Sequence, residues 1–81
     1  MISCQFSLYP LGVEDLSPAI DAAISELRSL GLETDVGAMS TYISGEAETV
    51  FQGLRRAFDV AARQGHVVMT VTVSNACPLP G

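Results

Sequence analysis

The side chains in this sequence that can do chemistry are few, and most of them are neutral. Cys4, Cys77 and His66 are the only thiols and the only imidazole in 81 residues. No Cys-x-x-Cys pair occurs, and two thiols without neighbouring histidines make a poor metal site. His66 follows Gly65, where packing or helix capping suits it better than proton transfer. No Ser/His/Asp set can be assembled, no Gly-rich phosphate loop precedes a helix, and the carboxylates are scattered over helices and turns. Neither catalytic nor metal-ligating residues are expected, and turnover is the least supported class of activity. What remains is hydrogen bonding without charge. Gln5 is the clearest case, because a long amide in the middle of a strand must find partners. The chemistry on offer is recognition of a small polar molecule.

These groups need elements to position them. Ile2, Cys4, Phe6 and Leu8 alternate with Ser3, Gln5, Ser7 and Tyr9, the period-two pattern of a strand with one apolar face. Pro10 and Gly12 end it. Ser17 followed by Pro18 reads as an N-cap and first-turn proline, with Glu14 and Asp15 leaving open a start one turn earlier, and Leu16, Ile20, Ala23, Ile24, Leu27 and Leu30 then recur at helical spacing up to Gly31. Residues 32–36 form a short second strand, 37–40 a turn, and 41–44 a third strand closed by Gly45. A second helix starts near Glu46 and Glu48, with Val50, Leu54, Phe58 and Ala61 as its stripe, joined by Phe51, Ala57 and Ala62. Arg63 falls in its last turn, Gly65 caps it, and residues 66–75 are the fourth strand. The order β-α-β-β-α-β, with two halves of similar length, predicts a single α+β domain spanning residues 1–81. It is a ferredoxin-like sandwich, a four-stranded antiparallel sheet with both helices on one face.

Strand parity then separates two faces. Met69, Val71 and Val73 are expected to meet the helices with Ile2, Cys4, Phe6 and Leu8. The open face takes Ser3, Gln5, Ser7 and Tyr9 together with Val68, Thr70, Thr72 and Ser74. No Lys, Arg, Asp or Glu falls on the open face of these two strands, which reads as a hydrogen-bonding contact surface rather than a solvated one. The chain is 48% hydrophobic and 16% charged, more apolar than so small an interior accommodates. A homodimer or higher homo-oligomer through the open sheet face, leaving a polar-lined ligand pocket at the junction, accounts for both features. The net charge of −5 and the confinement of Arg28, Arg55, Arg56 and Arg63 to the helical segments argue against nucleic acid. The longest apolar stretch, residues 67–73, is far below membrane-spanning length, and no signal-peptide pattern opens the chain. A cytoplasmic protein with no membrane association and reduced cysteines is expected.

Four segments carry a resemblance. They are Gln5-Phe6-Ser7-Leu8-Tyr9-Pro10-Leu11-Gly12, Val36-Gly37-Ala38-Met39-Ser40-Thr41, Gly65-His66-Val67-Val68-Met69 and Ser74-Asn75-Ala76-Cys77-Pro78. In this order around two helices, the chain resembles the YkoF-like family of thiamine and hydroxymethylpyrimidine-binding proteins. The resemblance implies a ferredoxin-like domain that binds thiamine or its pyrimidine half non-enzymatically, as a carrier, buffer or sensor in supply or salvage of the vitamin, with no cofactor beyond that ligand. Some members look like two such domains in tandem, which here implies a homodimer. An aminopyrimidine edge would pair with Gln5, Ser7, Ser40, Thr41, Ser74 and Asn75, beside backbone groups of the 37–40 turn. Met39 would lie against the ring, and Tyr42, Tyr9 or a nearby carboxylate would stabilise the thiazolium charge. The alternative is a ferredoxin-like regulatory or oligomerisation module that binds another small metabolite or none.

Overall fold

The computed structural model describes residues 1–76. Along the chain run β1 (Ile2–Pro10), α1 (Ser17–Ser29), β2 (Glu33–Val36), β3 (Thr41–Gly45), α2 (Ala47–Ala62) and β4 (Val67–Ser74). The four strands form one antiparallel sheet in the order β2-β3-β1-β4, so β1 is central and β2 and β4 are edges. Both helices pack on the same face, and the architecture is the ferredoxin-like α+β sandwich expected from the sequence.

The period-two pattern of β1 becomes a core because its apolar set points at the helices. Cys4 and Phe6 are buried with Ile43 of β3, Ala23, Ile24 and Leu27 of α1, and Val50, Leu54 and Ala57 of α2. The two helices meet across Gly53. A Cβ there would lie 2.7 Å from Leu32 Cδ1 and 2.9 Å from Leu27 Cδ2, so the missing side chain lets α1 and its exit loop approach α2. α1 stops where its sequence says it should. Gly31 adopts φ +77°, a left-handed conformation that a Cβ disfavours, and its N–H donates to the Arg28 carbonyl at 3.0 Å.

Three expectations need correction. Ser17 is the first residue of α1 rather than its N-cap, which is Leu16, and the orphan N–H of Ser17 is satisfied instead by the Asp15 carboxylate at 3.0 Å. Pro18 fits the opening turn because it has no N–H to leave unpaired. Phe51, Phe58 and Ala62 are not part of the α2 core stripe, Phe51 being 55% and Phe58 39% exposed. Glycine and alanine at 53, 57 and 61 rotate α2 so that its small face meets the interior, leaving the phenylalanines on its flank. Val71 and Val73 do share a face with Phe6 and Cys4 through the β1/β4 register, yet both remain exposed, because β4 is an edge strand that α2 only partly covers. Cys77 and the proline-rich end lie outside the described residues.

Candidate functional site

β1 is longer than the strand beside it, and this mismatch creates the site. The β1/β3 ladder ends at Phe6 opposite Thr41, whereas β1 continues along β4 as far as Pro10 opposite Val67. Over residues 7–10, the side of β1 that faced β3 meets the β2–β3 turn instead. In an extended strand alternate residues direct both N–H and C=O toward the same neighbour, so this stretch presents a donor–acceptor backbone edge that the ladder does not cover.

The turn over residues 37–40 arches across that edge. It is closed by the Gly37 N–H donating to the Ser40 carbonyl at 2.9 Å, and a Cβ on Gly37 would stand 2.9 Å from the same oxygen. Two side chains of β1 hold the turn. Ser7 Oγ donates to the Met39 carbonyl at 3.0 Å, and Gln5 Nε2 donates a longer bond to Ser40 Oγ at 3.3 Å. Between turn, strand and helix lies a crevice of about 300 Å³. Its walls are Phe6, Leu8 and backbone-proximal Ser7 and Tyr9 from β1, Leu16, Ile20 and Ile24 from the start of α1, and residues 36–41. An apolar chamber with a short polar rim suits one small flat ring, at the lower end of the ~300–1,000 Å³ typical of ligand pockets.

Of the residues expected to bind ligand, Ser7, Met39, Ser40 and Thr41 line this crevice. Thr41 does so from the helix side, buried beside Phe6 and Val36, rather than from the open face. Gln5 stands just outside, joined to the crevice through Ser40. Tyr42 lies on the open face opposite Gln5 and does not line it. Ser74 and Asn75 are not brought there. Ser74 sits opposite Ser3 while Ser7 sits opposite Thr70, so Ser74 lies about 13 Å along β4 from the residue that pairs with Ser7, at the rise of an extended strand.

Two groups of residues escaped the sequence reading. The aliphatic wall of Leu16, Ile20 and Ile24 carries only the signal of an amphipathic helix, which says nothing of a gap at its start. The other group is the pair of β2 carboxylates. The register places Glu33 and Asp35 on the open face, in the rows Glu33–Ser44–Ser3–Ser74 and Asp35–Tyr42–Gln5–Thr72. Ser44 Oγ lies 3.4 Å from Glu33 Oε2, and Asp35 is exposed beside Tyr42. Their alternation was visible, but β2 is only four residues long and its parity could not be fixed from so short a run.

Cys4 belongs to the core rather than to the site. It is almost fully buried, and burial pushes its thiol up to about 11, because the thiolate would lie among apolar side chains. The folded state therefore holds the proton more tightly than the unfolded chain, whose thiol titrates near 9. Stability from this group is complete below pH 9 and declines as the pH rises toward 11. In a Cys77→Ser background, native protein at pH 8 is expected to resist a thiol reagent such as dithionitrobenzoate and to react at once in denaturant. Prompt reaction of the folded protein would place Cys4 at an accessible position.

The architecture and crevice together define a ferredoxin-like sandwich with a ligand-sized opening at one end of its sheet. The chain belongs to the YKOF-related family, whose model matches residues 1–80. It is 32% identical over 76 residues to the "Putative HMP/thiamine-binding protein YkoF" of Bacillus subtilis (strain 168), the match covering 93% of this chain and 38% of that protein. The chain thus spans well under half the length of this relative. Among solved structures, a hypothetical protein from Methanocaldococcus jannascii superposes with a TM-score of 0.86 at 19% identity, covering 94% of this chain and 80% of that one. A "putative thiamine biosynthesis/salvage protein" from Thermotoga maritima does so with a TM-score of 0.77 at 24% identity, covering 89% and 80%. These two likenesses concern the fold.

Proposed function

We propose that this protein binds thiamine or its hydroxymethylpyrimidine half without turning it over, as a carrier, buffer or sensor in supply or salvage of the vitamin. The observation that carries the proposal is the crevice at the uncovered edge of β1, in a chain whose Bacillus subtilis relative is named for HMP and thiamine binding. An aminopyrimidine has adjacent donors and acceptors in one plane, the complement of a strand edge flanked by Ser7 and Ser40. Its faces would rest between Leu8, Ile20 and Met39, the thioether adapting to the ring. The thiazolium would leave the crevice toward the open face, where Tyr42 offers its ring and Asp35 its carboxylate.

Self-association through the open sheet face belongs to the same reading. That face is uncharged on β1 and β4, and a second copy laid on it would shield a ligand emerging past Gln5. A cytoplasmic setting, where the vitamin and its precursors are handled, completes the proposal.

Titration calorimetry tests it with thiamine, hydroxymethylpyrimidine and an unrelated aromatic cation. Saturable heat with one ligand per chain is expected from at least one of the two pyrimidines and none from the cation. If the protein takes up no pyrimidine, the ligand reading fails and an oligomerisation module becomes the better account.

A further inference from the structure

The crevice opens toward the open sheet face, since Ser7 and Tyr9 on its rim share strand parity with Gln5. Among the described residues, every charged side chain on the strands of that face is a carboxylate. Glu33 and Asp35 stand there on β2, beside the neutral Tyr42 and Ser44 of β3, and β1 and β4 add only Ser, Gln, Thr, Tyr and Val. The sequence has no lysine, and its four arginines belong to the helical layer. Arg28 is in the last turn of α1, Arg55 and Arg56 lie within α2, and Arg63 is the C-cap of α2, no residue of which lines the crevice. His66 lies at the same end of the sheet as the crevice. Its carbonyl accepts the Leu11 N–H at 2.9 Å, which puts it on the β4 side of β1, across the strand from the 37–40 turn.

The backbone devices that hold anions are spent as well. A helix start offers free N–H groups to phosphate, and the start of α1 borders the crevice through Leu16 and Ile20. Its donors are already used. The Ser17 N–H donates to Asp15 Oδ1 at 3.0 Å, Pro18 has no N–H, and the Ile20 N–H donates to the Leu16 carbonyl at 3.3 Å. An anion arriving there meets the Asp15 carboxylate in the place it would take. Successive N–H groups of a turn also cradle phosphate in other proteins. Here the Gly37 N–H is turned inward to the Ser40 carbonyl at 2.9 Å.

We infer that this site takes its ligand only with the hydroxyl free and turns away the phosphate esters of the same molecule, with Asp35 as the residue that sets the discrimination. The inference rests on the vitamin-binding reading above and deepens it. Both ligands of that reading carry a primary alcohol. On thiamine it ends a short chain on the thiazolium, and on hydroxymethylpyrimidine it sits on the methylene that in thiamine bears the thiazolium. With the pyrimidine in the crevice, either alcohol therefore points out toward Tyr42 and Asp35 on the open face. Esterification replaces a neutral hydroxyl with a group of about −1.5 to −2 charge. No guanidinium, ammonium or open run of N–H groups stands there to receive it, and the exposed Asp35 carboxylate repels it. The same carboxylate favours the thiazolium cation, so one side chain selects for the parent and against its ester.

Titration calorimetry of the intact chain with four probes decides it: thiamine, thiamine monophosphate, hydroxymethylpyrimidine and its monophosphate. Each ester is expected to bind at least about tenfold more weakly than its parent. Asp35→Asn narrows that ratio severalfold for both pairs and Asp35→Lys brings it near parity, with the circular dichroism of both variants unchanged because the side chain is exposed on an edge strand. Raising the ionic strength narrows the wild-type ratio and leaves the affinity for uncharged hydroxymethylpyrimidine in place. Equal binding of parent and ester overturns the inference and leaves the vitamin-binding reading standing, whereas binding of none of the four removes both. A ratio unmoved in the two Asp35 variants overturns the assignment to Asp35. So does a ratio moved instead by Asp15→Asn, which keeps an oxygen for the Ser17 N–H.

Discussion

Leu27→Ala is expected to lower the unfolding free energy by about 3–5 kcal/mol, the upper part of the range for a buried leucine truncation. Leu27 is 0% exposed and sits where both helices and the loop after α1 converge, its Cδ2 within 2.9 Å of the position a Gly53 Cβ would take. The sheet anchors α1 and α2 separately, so neither can slide in to fill the space, and an uncollapsed cavity adds its own cost to the lost transfer free energy. A chain of this length has roughly 4–12 kcal/mol of stability in total, so the variant forfeits between a quarter and all of it. Urea unfolding monitored by circular dichroism measures the change. A loss below 1 kcal/mol would mean that the helix pair relaxes around the hole and that the close approach at Gly53 is not what fixes its spacing.

That same approach shows how far the fold was legible in the sequence. The helix stripes, the strand alternation of β1 and the turn glycines each carry a local signal, and together they specify the order of elements and the sandwich. The rotation of α2 does not have such a signal. Val50, Leu54, Phe58 and Ala61 recur at helical spacing just as well as Val50, Leu54, Ala57 and Ala61, and hydrophobicity favours the first set. The structure chooses the second because α1 comes in at Gly53, a packing event between residues that are remote in the chain. The exposure of Val71 and Val73 has a similar origin: their parity is local, but the edge position of β4 depends on strand order.

The site was legible in its chemistry and less so in its place. Neutral hydrogen-bonding side chains on β1 and in the β2–β3 turn were expected to work together, and Ser7 and Gln5 do bond to Met39 and Ser40. The opening itself comes from unequal strand lengths, with β3 ending opposite Phe6 while β1 continues to Pro10. Pattern reading gives strand faces but not where a neighbour stops. The resemblance drew Ser74 and Asn75 toward the same ligand, whereas the register sets Ser74 opposite Ser3, away from Ser7.

Gly37→Ala is expected to weaken pyrimidine binding tenfold or more with little effect on the fold. The contact that forbids a side chain at 37 is with the backbone oxygen of Ser40, which cannot swing aside like the tip of a leucine. Accommodation must come from the turn, which would lose the 2.9 Å Gly37-to-Ser40 bond and carry Met39 and Ser40 away from the crevice. Thermal melts read the outcome. Ligand at 100 times the wild-type dissociation constant stabilises the wild type by about 2.7 kcal/mol, or roughly 10–20 °C for so small a domain. With a tenfold weaker site, the same concentration contributes only about 1.4 kcal/mol. Gly31→Ala supplies the contrast, since nothing lies within 4 Å of a Cβ there and the cost is backbone strain at φ +77°. That variant should melt lower without ligand yet gain the full increment with it. Equal increments in all three proteins would show that the 37–40 turn plays no part in holding the ligand.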